Sequence, residues 1–212
     1  MKIVDLSHEM HSHMPVYPGL ESPSFEGAYT LEKNGFREKK LKIYSHTGTH
    51  MDAPAHMLKE GATLDQYSID YFIGKAVVVD LTNIKGKSIS LQEIKIYGDL
   101  IASIDFLVLN TGWHKYWGED SYFKGFPALT VEAAEWLLNF KLRGIAVDTI
   151  SIDSIESTTF PIHNMFFKKG LIAIENLTNL DAIGNNIFIL NCMPLKLRDA
   201  DGSPLRAAAM VG

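Results

Sequence analysis

Eleven consecutive residues, 46–56, constrain this chain more than any other stretch. They read His-Thr-Gly-Thr-His-Met-Asp-Ala-Pro-Ala-His, so three imidazoles and one carboxylate lie close together in the sequence. The residues between them are mostly small, and no low-complexity sequence surrounds them. Imidazole and carboxylate groups are common protein ligands of divalent metals. The composition of the stretch therefore predicts a metal site.

The spacing of these side chains indicates which backbone can bring them together. A helix is disfavoured because β-branched threonines separate the histidines and Pro54 would break it. A straight strand would hold His46 and His50 about 13 Å apart, too far for two nitrogens that each bind one ion at about 2.1 Å. We therefore expect a bend at Gly48, after which His50 and Asp52 point the same way along a short extended segment.

With that bend, three side chains can meet at one metal ion. His46, His50 and Asp52 would converge and leave open positions for water, which is the pattern of a catalytic metal site. His56 lies beyond the proline and can serve as a fourth ligand or as a general acid or base. A single histidine of this kind is usually a surface residue, but the four groups together favour the metal site.

Composition excludes several classes of protein. The 212 residues, 46% of them hydrophobic, suffice for one globular core, so we expect a single domain spanning 1–212. A net charge of −5 gives no electrostatic footprint for nucleic acid. No apolar run approaches the length of a membrane span and the N-terminus lacks signal-peptide features, so we expect a cytoplasmic protein. The single cysteine, Cys192, excludes an internal disulfide and has the apolar setting of a buried thiol.

Patterning along the rest of the chain predicts a mixed α/β fold. Strands are expected at residues 1–6, 37–44, 75–81, 106–110, 145–148, 171–174 and 187–190. A capping box at Ser90 predicts a helix that ends near Gly98, and Thr130 begins a second helix that Gly144 stops. Several strands follow one another without a helix, which argues for a mixed sheet with extra β layers rather than a doubly wound parallel sheet.

Two segments are predicted to be irregular. Residues 7–26 contain three prolines, and a loop of this length inside a compact domain is usually functional. Three histidines of this loop are expected to be solvated: His8, His11 and His13. Residues 201–204 read Asp-Gly-Ser-Pro, which predicts a surface turn without a catalytic role.

The 46–56 stretch closely resembles the signature of the cyclase family of metal-dependent hydrolases, which includes bacterial kynurenine formamidases and isatin hydrolases. Shorter matches to the family continue along the chain, at residues 5–7, 15–19, 111–113, 148–153 and 202–207. The resemblance implies the family's fold, a swivelling β/β/α domain. The mixed sheet expected from the strand pattern is consistent with that fold.

The resemblance also implies ligands that spacing alone does not reveal. By similarity to the family's His-then-Glu segment, His163 and Glu175 are expected to bind metal, the first just before a short helix and the second at a strand end. In two-zinc members the counterpart of Asp52 bridges the ions and those of His163 and Glu175 hold the second ion. Their retention here favours two metals, with a single fully loaded site as the alternative. Asp148 and Asp153 are expected near the metal pocket but outside the ligand set.

Other matched positions bear on proton transfer and substrate. His56 corresponds to the histidine that shuttles a proton in formamidases. Tyr17 corresponds to a pocket aromatic residue that is tryptophan in kynurenine formamidases. Leu20 stands where an acidic residue commonly follows the Pro-Gly pair. Trp113 and His114, at a strand exit that borders the active site in the family, can either contact substrate or simply pack.

Hydrolysis is the chemistry that such a site favours. A divalent metal lowers the pKa of bound water to about 7 and polarises a carbonyl, so metal-bound hydroxide is the expected nucleophile. The sequence carries no flavin, nicotinamide or phosphate-binding fingerprint. His56 would pass a proton to the leaving nitrogen, since imidazole titrates near neutral pH. Mixed imidazole and carboxylate ligands suit Zn²⁺ best, with Mn²⁺ as the alternative.

Three functions are consistent with these features. The first is an arylformamidase that converts N-formyl-L-kynurenine and water to L-kynurenine and formate in tryptophan catabolism. The second is hydrolysis of a related cyclic amide such as isatin. The third is a metal-binding protein without turnover, which the extra imidazole of His56 argues against. We expect a small-molecule substrate, no nucleic-acid or membrane partner, and a homo-oligomer, dimer or tetramer, since family members commonly associate and the 7–26 arm can reach a neighbouring subunit.

Overall fold

The computed structural model describes residues 1–184 and 186–212, which form thirteen strands and five short α-helices. The strands are β1 (Lys2–Asp5), β2 (Ser24–Tyr29), β3 (Glu38–Lys42), β4 (His50–Asp52), β5 (Ile73–Asp80), β6 (Ser88–Ile89), β7 (Phe106–Asn110), β8 (Ala128–Leu129), β9 (Gly144–Val147), β10 (Ile172–Glu175), β11 (Phe188–Asn191), β12 (Gly202–Pro204) and β13 (Ala208–Val211). The helices are α1 (Leu31–Asn34), α2 (Leu91–Lys95), α3 (Gly98–Ile101), α4 (Val131–Leu137) and α5 (Pro161–Lys168).

A nine-stranded mixed sheet organises the molecule. Its strand order is β1-β13-β11-β5-β7-β9-β10-β4-β12. The four central strands β5, β7, β9 and β10 run parallel, and the strands that flank them on both sides are antiparallel. The mixed α/β fold expected from the sequence is thus confirmed.

Both faces of this sheet are buried, which explains why its central strands are continuous apolar runs. Val77 and Val79 of β5 point into a core formed with the helices α2 to α5. Ala76 and Val78 point to the opposite face, where irregular segments and the outer strands cover the sheet. Cys192 lies in this second core with its thiol donating to the Phe72 carbonyl, so the expected buried thiol is confirmed.

Two helix ends differ from the sequence prediction. After the Ser90 capping box, α2 stops at Lys95 and α3 begins at Gly98, where the sequence predicted the helix to end. Thr130 caps α4 as expected, its hydroxyl accepting from the Ala133 amide, but α4 ends well before Gly144. The Asn139 side chain ends it by donating to the Trp136 carbonyl at 2.9 Å.

The Asp-Gly-Ser-Pro segment contains an edge strand of the sheet and is not only a turn. Gly202–Pro204 forms β12, the outermost strand beside β4, with Gly202 opposite Asp52 and Pro204 opposite His50. Proline is tolerated there because an edge strand needs no donor on its outer side. The prediction of a simple surface turn was therefore wrong, and β12 brings residues 201–204 beside the 46–56 stretch.

A hairpin stands apart from the sheet. Within the part of the chain that the structure describes, β2 and β3 pair only with each other, and no residue of 24–42 is buried. Four large apolar side chains of this hairpin are more than two-fifths exposed: Tyr29, Leu31, Phe36 and Leu41. The irregular arm accordingly ends before Ser24 instead of at Glu26. No helix among the described residues has the length and apolar character needed to cross a membrane.

Candidate metal centre

The predicted bend is present in the 46–56 stretch. Gly48 adopts φ +67°, and a β-carbon there would lie 2.9 Å from the Met14 methyl group. Both constraints favour glycine, and the chain then enters β4, which carries His50 and Asp52 on one face. These two side chains are buried.

Strand β10 and helix α5 complete that face. Glu175 lies directly opposite His50 in the β10–β4 pair, so the two side chains project to the same side of the sheet. His163 is the third residue of α5, inside the helix rather than before it. Its Nε2 lies 3.5 Å from Asp52 Oδ2 and 3.3 Å from Glu175 Oε1. The two residues that the resemblance implied therefore meet the residues of β4.

Two of the imidazoles, those of His50 and His163, form hydrogen bonds through the ring nitrogen that faces away from the centre. His50 Nδ1 donates to the Gly48 carbonyl at 2.8 Å, and His163 Nδ1 lies 2.6 Å from Asp153 Oδ2. Asp153 is itself fixed by the amides that begin α5. Because each Nδ1 carries its proton toward an acceptor, Nε2 of each ring presents a lone pair to the centre, as a metal-binding histidine must. Asp153 thus lies behind His163, outside the potential ligand set.

His46 approaches from the other side of Asp52. Its Nδ1 lies 2.6 Å from Asp52 Oδ1 and its Nε2 lies 3.0 Å from Asp201 Oδ2. Burial lowers the pKa of His46, but the hydrogen bonds to the two carboxylates outweigh burial and raise this pKa to about 9. The ring rests on Gly202, where a β-carbon would come within 2.4 Å of it.

The donor atoms form two groups that share one carboxylate. His46, Asp52 and His56 offer ligand atoms within 4.8 Å of one another, and so do His50, Asp52 and Glu175. Asp52 can therefore lie between two cations.

The charges at the centre fit divalent cations. Burial and the charge of Asp52 raise the pKa of Glu175, so a cation nearby would favour its ionised carboxylate. Among the described residues that line the cavity over this centre, none is lysine or arginine. A divalent cation would stabilise both buried carboxylates in their ionised form, and the mixed imidazole and carboxylate donors suit one.

A cavity of about 530 Å³ opens onto this centre. Its walls away from the metal-binding groups are mainly apolar, and their apolar residues are Pro15, Val16, Tyr17, Leu20, Met57, Ile150 and Phe160. Tyr17 thus lines the cavity as expected, and His56 lies at its edge with a side chain 30% exposed. Burial lowers the pKa of His56.

Two residues near the strand exit have packing roles. Among the described residues that line the cavity, neither Trp113 nor His114 is present. Trp113 Nε1 donates to the Tyr122 carbonyl, and His114 Nδ1 lies 3.1 Å from Asp148 Oδ2. Of the two possibilities that the sequence left open for Trp113 and His114, the structure favours packing.

One arm histidine is not solvated as predicted. His8 stacks on Trp117 with ring centroids 4.0 Å apart, and burial lowers the pKa of His8 to about 4. The tryptophan lies more than a hundred residues away, so local sequence gave no sign of the stack. His11 and His13 are exposed, as expected.

Two residues at the centre were not found from the sequence. Asn176 adopts φ +59° and donates from Nδ2 to the Gly48 carbonyl at 2.7 Å, so it helps fix the group that holds His50. Its signal was a turn-favouring asparagine directly after a strand end. Asp201 contacts His46, and its signal was obscured because Asp-Gly-Ser-Pro is also an ordinary turn sequence.

Comparisons with known proteins agree with this geometry. Residues 4–154 match the family model described as "Putative cyclase". The chain is 31% identical over 206 residues to a kynurenine formamidase from Bacillus thuringiensis (strain Al Hakam), covering 96% of this chain and 95% of that protein.

Solved structures give the same family resemblance. Isatin hydrolase A from Labrenzia aggregata, bound to benzyl benzoate, superposes with a TM-score of 0.89 at 25% identity, covering 99% of this chain and 93% of that one. A structure described as a predicted metal-dependent hydrolase from Bacillus stearothermophilus has a TM-score of 0.82 at 26% identity, covering 98% and 97%.

Proposed function

The chain belongs to the cyclase family, and from that premise we propose that it is an arylformamidase that hydrolyses N-formyl-L-kynurenine to L-kynurenine and formate. One observation carries the proposal: imidazole and carboxylate groups that can share divalent metal through Asp52 lie at the floor of an apolar cavity. The near full-length similarity to a kynurenine formamidase supports the choice of substrate. Metal-dependent hydrolysis of a carbon–nitrogen bond is the reaction type that this combination fits.

We propose the ligand sets that the family resemblance implies. His46, His50 and Asp52 would hold one ion, and Asp52, His163 and Glu175 would hold a second. The presence of all five donors, with Asp52 in both potential groups, supports two ions over one. Zn²⁺ is the ion best suited to these ligands, and Mn²⁺ is the alternative. Divalent metal bound there lowers the pKa of water and polarises the amide carbonyl.

His56 acts as the proton carrier in this account. It lines the cavity, and its ring centroid lies 3.9 Å from that of His46, so it stands beside the reacting amide without being buried among the ligands. An imidazole in that position can accept a proton from the attacking water and deliver it to the leaving nitrogen. Because His56 also belongs to a potential ligand group, the alternative is that it binds metal.

The cavity walls hold the aromatic part of the substrate. Tyr17, Ile150 and Phe160 present apolar surface on which an aryl ring can pack, and burying the ring there excludes water from the amide. These side chains carry no charge at neutral pH, so they contribute to binding by contact area. Polar contacts with the substrate come from the groups at the floor of the cavity.

The proposal is tested by steady-state hydrolysis of N-formyl-L-kynurenine with zinc-loaded and manganese-loaded protein. We expect kcat/KM of about 10⁴ M⁻¹ s⁻¹ or more, within the ordinary enzyme range. His56→Ala is expected to retain its metal while kcat falls about 10²- to 10⁴-fold, the usual contribution of a positioned acid or base. Metal loss in that variant would make His56 a ligand, and no turnover by metal-replete wild type would exclude this substrate.

A related cyclic amide such as isatin is the second candidate substrate. The similarity to isatin hydrolase A supports it, and the uncharged cavity walls suit a neutral ring. The same metal-loaded protein would be assayed with isatin in parallel. Faster hydrolysis of isatin than of N-formyl-L-kynurenine would favour the cyclic amide.

We also propose that the chain forms a homo-oligomer, most simply a dimer, through the hairpin of residues 24–42. A two-stranded hairpin without a core is marginally stable in water, and this one exposes four large apolar side chains. The hairpin carries five basic and three acidic residues while the whole chain has a net charge of −5, so it complements the acidic remainder of a second copy. Leu41→Glu should shift the sedimentation coefficient from dimer toward monomer. A monomeric wild type would contradict the proposal.

A further inference from the structure

We propose that Asp201 is a positioning residue that orients two histidines of the metal centre, His46 and His56, and sets which nitrogen of each carries the proton. The residue lies in the segment whose sequence predicted only a surface turn. The inference concerns the organisation of the metal centre, so it stands apart from the choice of substrate.

A single carboxylate oxygen faces both rings. Asp201 Oδ2 lies 3.0 Å from His46 Nε2 and 3.7 Å from His56 Nδ1. The two rings lie against each other at a centroid separation of 3.9 Å and an interplanar angle of 38°. Asp201 therefore sits where one group can control the orientation of both imidazoles.

The effect on His46 follows from its two contacts. His46 Nε2 lies 3.0 Å from Asp201 Oδ2 and Nδ1 lies 2.6 Å from Asp52 Oδ1, so if Nδ1 bound a metal ion the proton of the ring would lie on Nε2 and donate to Asp201. A carboxylate behind a ligating imidazole fixes its tautomer and strengthens it as a donor. Asp153 stands in the same relation to His163, at 2.6 Å, so the centre uses this arrangement at two of its corners.

The effect on His56 concerns its free nitrogen. A proton on Nδ1 directed at Asp201 leaves Nε2 as the nitrogen with a lone pair, available to the reacting group. The present 3.7 Å separation of His56 Nδ1 from Asp201 Oδ2 exceeds a hydrogen bond, and catalytic hydrogen bonds often shorten only when substrate is bound. A small rotation of the His56 ring would shorten this separation to the length of a hydrogen bond.

The backbone around Asp201 holds the carboxylate in place. Its carbonyl accepts from the Ala53 amide at 2.9 Å, directly before β12 pairs with β4. The neighbouring Gly202 leaves room for the His46 ring, which a β-carbon would strike. The Asp201 side chain is 46% exposed, so the core does not depend on it and its removal should be tolerated.

The test is Asp201→Asn, which keeps the shape of the side chain and removes its charge. Zinc affinity is measured by competition with a chelator, and the proton positions on the histidine rings by long-range ¹H–¹⁵N NMR of the zinc-loaded protein. We expect about 10- to 100-fold weaker zinc binding, the usual loss when a partner behind a ligand is removed. We also expect His56 to lose its preference for the Nδ1 proton.

Matched variants separate positioning from general effects. Asp199 is exposed, two residues away and at φ +55°, which asparagine tolerates, so Asp199→Asn should leave both measurements unchanged. Asp201→Glu restores the charge and should recover part of the zinc affinity. Unchanged zinc affinity and unchanged His56 proton position in folded Asp201→Asn would overturn the proposal. Neither measurement requires turnover, so the result is independent of whether N-formyl-L-kynurenine is the substrate.

Discussion

The floor and the rim of the cavity are built in opposite ways. At the floor, His50, Asp52, His163 and Glu175 project from strands and a helix, and each side chain is at most 5% exposed. At the rim, Tyr17 and Leu20 belong to an irregular arm, and Leu20 is 43% exposed. The arm continues into a hairpin that the sheet does not cover. Under the proposed function, rigid elements therefore position the groups that act on the amide, whereas loop residues face the rest of the substrate.

Because of this difference, metal binding and substrate preference should depend on different residues. Floor residues hold one another through short contacts between charged groups, so changing one disturbs several. Under the proposed function, rim residues contact the substrate and have few supporting contacts, so their exchange should alter substrate preference without affecting the metal. Three substitutions test this separation.

The largest effect is expected at Asp52, the carboxylate common to both ligand groups. Asp52→Asn removes the charge that His46, His50 and His163 all face. We expect zinc binding to weaken by more than about 100-fold, beyond the loss typical of residues that only support a ligand, and hydrolysis to become undetectable. Metal content after dialysis and chelator competition would measure this. A variant that still binds two zinc ions per chain would disprove the bridging role.

A smaller effect is expected at Asn176, which supports the floor without being a candidate ligand. Asn176→Gly keeps the left-handed backbone but removes the donor to the Gly48 carbonyl and the acceptor of the Tyr122 hydroxyl. Each lost buried hydrogen bond should lower the free energy of unfolding by about 1–3 kcal/mol. Asn179→Gly is the matched control, since Asn179 has φ +57° but bonds the Asp5 carbonyl at an exposed position. If Asn176→Gly and Asn179→Gly lower the free energy of unfolding equally in urea denaturation, burial at the metal centre does not cause the loss.

The smallest effect is expected at the rim. Leu20→Asp places a carboxylate beside a cavity whose walls are otherwise uncharged, where it can attract the ammonium group of N-formyl-L-kynurenine. An exposed charge pair contributes up to about 1 kcal/mol, so kcat/KM for this substrate should rise up to about fivefold relative to neutral N-formylaniline. Leu20→Asn controls for size and polarity. A change in zinc affinity in Leu20→Asp would show that metal binding also depends on the rim.

Local sequence was sufficient for the part of the site that lies in one stretch. The bend at Gly48 and the common direction of His50 and Asp52 follow from spacing and backbone chemistry, and both are present. His163 and Glu175 are far away along the chain, and each would be unremarkable alone. Only the resemblance to the family indicated them.

Residues whose role depends on pairing between distant segments give no clear signal in the local sequence. Asp201 reaches His46 because β12 pairs with β4 across about 150 residues, whereas its own neighbours favour a turn. Asn176 acts through the Gly48 carbonyl, a contact between segments separated by 128 residues. The α2 and α3 boundary was misplaced because the sequence suggested Gly98 as a helix end, although glycine there begins the next helix.

The most direct test of the account is a metal titration of protein stripped by chelation, followed by hydrolysis of N-formyl-L-kynurenine. We predict no turnover without metal, activity that rises as Zn²⁺ or Mn²⁺ is added and saturates near two equivalents per chain, and none at any metal concentration with Asp52→Asn. Full turnover by protein that retains less than about one tenth of an equivalent of metal would contradict the account, since a site of this kind derives its nucleophile from the metal.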